Sequence, residues 1–221
     1  QSRLHIDMWD VHAGEEKFAP IGTFKADARK FRNLLATVRG GQIVTGHLPW
    51  NSAIYEVLSE MGFRVIFITR APQDIVNSNF HYIKGLRRIY IHNRLMNDYS
   101  TDEERRQAIE EGIPPRFEGD PCLDGISSIL QAYQGWLDLT DNRTLPIAFE
   151  NLVGAAGGGS QEARTESIRK IMEHVSMADN PELVAQVERA SRSKKSFTYR
   201  SGKIGNSVPL AIEASDRTSG S

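Results

Sequence analysis

The chain has 221 residues, with Lys+Arg 27 against Asp+Glu 28 and a formal net charge of −1. That balance, without any basic run, gives no support to nucleic acid or an anionic membrane as partner, although a local cationic pocket stays open. Cys122 is the only cysteine, which excludes an internal disulfide and fits a reducing, cytoplasmic compartment. No apolar stretch approaches the ~20 residues of a membrane span, and the first ten residues lack the apolar segment of a signal peptide.

In chain order, residues 1–40 read as partly irregular. Three apolar runs follow, at 42–46 (QIVTG), 64–69 (RVIFIT) and 145–149 (LPIAF). They are short, β-branched or aromatic and not strictly alternating, which suits parallel strands covered on both faces. Between the first two, residues 51–62 place Ile54, Val57, Leu58 and Met61 on one helical face and stop at Gly62. Strand, helix and strand then read as one βαβ unit. After the second run, Arg70 and Pro72 lead into a helix that contains Ser78. Thr101 with Glu104 has the spacing of a capping box, and a loop covers 112–121. Residues 122–139 carry Ile126, Ile129, Leu130, Tyr133 and Leu137 at helical spacing. Ser160 reads as an N-cap, as does Asn180 ahead of Pro181. The tail 213–221 is polar and expected to fray. The whole reads as one α/β domain, an open parallel sheet with helices on both faces.

Ligands of open α/β sheets bind beyond the carboxyl ends of the strands. His47, Arg70 and Glu150 each stand at such an end. Arg70 and Ser78 together suit an oxyanion, because a guanidinium forks onto phosphate and a hydroxyl adds a neutral donor. The plainer reading pairs Arg70 with Asp74. His47, followed by Leu-Pro, suits a general base near neutral pH or an ordinary loop histidine. Arg200, Gly202, Lys203 and Gly205 form a cationic glycine loop that fits an anion or a plain surface loop. The glycine patch 154–160 reads as a connector. Trp50, Tyr133 and Trp136 could line an acceptor pocket but fit a core at least as well. His5, His12 and His81 show no metal-ligand spacing, so no metal site is expected.

Taken in order, GHLPW, VIFITRAPQDIVNSNFHYI, LPIAFENLVG and FTYRSGKIGNS resemble the sulfotransferases that use 3'-phosphoadenosine 5'-phosphosulfate (PAPS), in their bacterial form. The resemblance runs over about residues 42 to 206. It implies a P-loop-kinase-like sulfotransferase fold and transfer of a sulfuryl group from PAPS to a hydroxyl or amine, leaving 3',5'-bisphosphate product (PAP). By the same resemblance, Arg70 and Ser78 hold the 3'-phosphate, and Arg200, Ser201 and Gly202 close over it. His47 is the base, and Phe149 lies near the adenine, where many members have tyrosine. No metal is implied. The acceptor, a small molecule, glycan or lipid, is set by residues 1–40 and 85–121.

The chain departs from that family in lacking a Pro-Lys-Ser-Gly-Thr type loop for the 5'-phosphosulfate. Either the chain is an N-terminally incomplete single domain, or its cofactor site is incomplete and it binds nucleotide without transfer. A P-loop-type kinase is the other alternative, but neither a Walker lysine nor a Mg²⁺-binding acid is in place.

Overall fold

Two parallel strand pairs frame the chain. β1 (Leu4–Asp7) pairs with β2 (Val44–His47), with Ile6 opposite Gly46 and Asp7 opposite His47. A Cβ on Gly46 would stand 2.6 Å from the Ile6 carbonyl oxygen, so only glycine lets these strands meet. β3 (Val65–Thr69) pairs with β6 (Thr144–Ala148), with Val65 opposite Thr144 and Thr69 opposite Ala148. A short antiparallel ladder joins β4 (Gly112–Ile113) to β5 (Leu123–Asp124) at the foot of the 112–121 loop. The computed structural model describes residues 4–14, 20–155, 158–177 and 180–191.

The helices begin where local chemistry supplies a cap. Asp27 accepts from Lys30 N at the head of α1 (Ala28–Leu35). Asn51 Oδ1 accepts from Ala53 N and Ile54 N at the head of α2 (Ser52–Glu60), which ends before Gly62 at φ +74°. Pro72 opens α3 (Pro72–Gly85), with Asp74 in its first turn. α4 spans His92–Asp98. The predicted capping box heads α5 (Asp102–Glu111): Thr101 Oγ1 accepts from Glu104 N at 3.1 Å, and the Glu104 carboxylate accepts from Thr101 N at 2.8 Å. Next come α6 (Ile126–Tyr133) and α7 (Phe149–Leu152). Ser160 caps α8 (Gln161–His174), and Asn180 Oδ1 accepts from Glu182 N and Leu183 N in α9 (Pro181–Ser191). Each cap satisfies backbone N–H groups that the first turn leaves unpaired.

Three expectations change. The runs at 42–46 and 64–69 flank α2 as expected, but their strands do not pair: β2 joins β1, and β3 joins β6. Residues 1–40 are partly irregular, as expected, and also supply β1 and α1. The helix expected over 122–139 ends at Tyr133, where a tight turn carries Trp136 inward and leaves Leu137 exposed. β3 is not covered on both faces, for Ile66 and Ile68 are 36% and 55% exposed.

One core cluster unites both strand pairs: Ile6, Phe31, Leu35, Ile54, Val57 and Trp136 are buried together, with Val44, Val65 and Phe67 packed against them. Helices α1 and α2 thus close over one face. A second cluster, centred on Phe80, Leu95, Ile109 and Ile113, holds α3 to α6 together. α8 packs on β6 and α9, and His174 Nε2 donates to the Val65 carbonyl at 3.0 Å. Among the described residues no helix is long and apolar enough to cross a membrane.

Leu95 is fully buried in the helical cluster. Leu95→Ala should therefore cost about 2–5 kcal/mol in urea unfolding. Thr101→Ala, which removes only a cap, should cost about 1 kcal/mol.

Candidate functional site

Arg70 follows the last residue of β3, and Phe149 follows the last residue of its partner β6. The register therefore sets the two side by side, and the Arg70 guanidinium lies 4.6 Å from the Phe149 ring centroid. That is a cation–π contact, strongest where water is excluded. Glu150, one residue on, accepts from Ala71 N at 2.8 Å, so the turn after β3 is tied to the end of β6. Arg70 Nε is buried and makes no hydrogen bond among the described residues. No ion pair joins Arg70 to Asp74, which is itself buried at 5% exposure. A guanidinium N–H kept from water and protein acceptors is costly unless a ligand takes it.

Ser78 is the seventh residue of α3, about two turns into the helix, and half-buried. Its hydroxyl makes no hydrogen bond among the described residues. Arg70 and Ser78 thus offer unused donors at the start and along the body of one strand-to-helix unit. Phe149 serves first as the platform under Arg70, and that contact was not foreseen.

His47 ends β2 and is exposed. The loop behind it is held firmly: Trp136 Nε1 donates to the Leu48 carbonyl at 3.0 Å, and Trp50 N to the Ala132 carbonyl at 2.7 Å. Strand alternation puts His5 and Asp7 of β1 on the same face as Thr45 and His47 of β2, opposite the buried Ile6. The His5 and His47 rings meet edge to face, centroids 5.3 Å apart, and His5 Nδ1 lies 3.0 Å from Thr45 Oγ1. One ligand-type atom from each of His5, Asp7 and His47 falls within 4.8 Å of the others. Chain spacing hid this group. The only local sign was His5 and Asp7 two apart, which shares a face once the segment is read as a strand.

The aromatic residues divide. Trp136 is core, with Trp50 at 5.0 Å edge to face and Phe67 stacked at 6.4 Å. Tyr133 stacks on Phe67, while burial, and secondarily the Asp7 charge, push its phenol up to about 12. Tyr90, from the 85–121 region, is 41% exposed, yet close packing around its phenol, then Cys122, Asp124 and Asp7, push it up to about 12. Two phenols thus feel the carboxylate beside His47.

The glycine patch is a connector among the residues described: Gly159 N donates to the Gly154 carbonyl at 2.9 Å, and Ser160 then caps α8 with its own side chain. Arg200, Ser201 and Gly202 lie outside the described residues.

A search of solved structures finds a mouse sulfotransferase, SULT7A1, crystallised with PAP. It is 17% identical, with a TM-score of 0.52, over 81% of this chain and 63% of that one. The likeness is one of fold, an α/β arrangement of parallel strands flanked by helices, and this chain spans less than two thirds of that structure's length. No family model and no curated protein matches the chain.

Raising the Tyr133 pKa means that the fold favours the neutral phenol. Its contribution is complete below the unfolded value of 10.0 and is lost as pH rises toward about 12. In urea titrations at pH of about 9 to 11 the wild type should lose stability faster than Tyr133→Phe. Parallel losses would show that Tyr133 ionises without regard to folding.

Proposed function

We propose that the chain is the body of a PAPS-dependent sulfotransferase. The observation that carries this reading is Arg70: a guanidinium fixed over Phe149 at a strand's carboxyl end, with a buried Nε that no described residue accepts from. It suits one end of a phosphate, and the Ser78 hydroxyl suits another oxygen of the same group. Arg200, Ser201 and Gly202 complete the 3'-phosphate side. Phe149 backs Arg70 and borders the adenine. The likeness in fold to a sulfotransferase supports the same reading.

PAPS, when bound, supplies the sulfuryl group. Such a transfer resembles phosphoryl transfer, so the chain contributes mainly position and charge. His47 takes the proton from the acceptor hydroxyl or amine through a ring nitrogen, a role worth about 10²–10⁴-fold. The firmly held Leu48–Trp50 turn keeps that ring in place, and the polar face of His5, Asp7 and Thr45 beside it receives the acceptor.

A nucleotide-binding protein without transfer keeps the Arg70 site and lacks the chemistry. Two variants separate the readings. Arg70→Ala should weaken PAP binding by about 1.5–3 kcal/mol in calorimetry, and unchanged affinity would remove Arg70 from the site. His47→Ala should leave PAP binding intact and abolish transfer of labelled sulfate from PAPS across sugar, lipid, peptide and phenol acceptors. If the wild type transfers to none of these, the binding-only reading stands.

A further inference from the structure

We infer that His5, Asp7 and His47 form a binding site for a divalent metal ion of the zinc class. The argument begins with strand register. Asp7 pairs with His47 and His5 with Thr45, so two imidazoles, one carboxylate and one hydroxyl project from a single face of two adjacent parallel strands. Ligand-type atoms of His5, Asp7 and His47 lie within 4.8 Å of one another. Zinc holds such ligands at about 2.0–2.1 Å, which sets them roughly 3.3 Å apart in a tetrahedron. Closing the group from 4.8 Å needs an inward shift of under about 1 Å from each side chain, within rotamer reach for exposed residues.

Two further contacts match what metal ligands need. With His5 Nδ1 donating to Thr45 Oγ1 at 3.0 Å, the Nε2 lone pair is free to bind and the ring's orientation is fixed, as metal-ligating histidines require. Asp7 is held from both sides: its Oδ1 accepts from Trp9 N, and its own backbone N–H donates to Asp10 Oδ2 at 2.8 Å. That leaves the other carboxylate oxygen for a cation. Two nitrogens and one oxygen suit zinc, cobalt, nickel or iron, whereas magnesium and calcium want oxygen throughout. The face is open to solvent, so the remaining position is left for water or another ligand. Because the site takes the His47 ring, a bound metal and a free His47 base exclude each other, and the cation would act on transfer as a reversible inhibitor.

The test uses the full chain and two readouts. Calorimetry with ZnCl₂ should give one saturable site per chain, and CoCl₂ should develop the intense visible band of a four-coordinate complex. His5→Gln and Asp7→Asn should each abolish both signals while circular dichroism stays unchanged. Thr45→Val should weaken metal affinity about 10–100-fold, and His12→Gln should leave it as in wild type. Absence of a saturable site in the wild type, or binding that survives both His5→Gln and Asp7→Asn, overturns the inference. PAP titrated into the same samples reports separately on the nucleotide reading.

Discussion

The parallel pairing of β3 with β6 is the constraint on which the candidate nucleotide site depends. It joins residues about eighty positions apart and brings Arg70 over Phe149. The Ala71–Glu150 hydrogen bond then fixes the turn that starts α3, and with it the place of Ser78. The buried Nε of the Arg70 guanidinium meets no acceptor among the described residues. The guanidinium rests on an aromatic face with a buried donor unspent, an arrangement that favours an incoming anion over rearrangement of the protein.

The β1–β2 pair does corresponding work for His47. Its inner face is committed to the core through Ile6, which leaves the outer face to carry only polar groups: His5, Asp7, Thr45 and His47. Both pairs share one hydrophobic cluster, with Trp136 at its centre bonded to the turn after His47. The same core that stabilises the fold therefore holds the proposed base, and a change at Trp136 would be felt at His47. The outer face also puts the proposed base among the residues of the proposed metal site.

Much of this was legible where the chemistry is local. The caps at Thr101, Ser160 and Asn180 were readable because a cap and its N–H partners lie within three residues. The strand ends carrying His47 and Arg70 were readable because apolar runs stop abruptly there. What could not be read was pairing. β1 is four residues long with a polar outer face, too short and too mixed for its periodicity to register, so the histidine pair it creates stayed hidden. The βαβ reading of 42–69 assumed that successive strands are neighbours, whereas β3 finds its partner after α3 to α6 have intervened. Local reasoning also suggested Arg70 with Asp74, yet Asp74 is buried in the first turn of α3 and the guanidinium turns to Phe149 instead.

The most direct test observes Arg70 itself. In ¹⁵N spectra that resolve arginine side chains, PAP added to the wild-type chain should shift the Arg70 Nε–H resonance strongly, together with the Ser78 amide region, and an Arg70→Lys sample should assign the signal by its loss. If PAP saturates the chain while the Arg70 Nε–H resonance stays where it was, the nucleotide lies elsewhere and the account of this site is wrong.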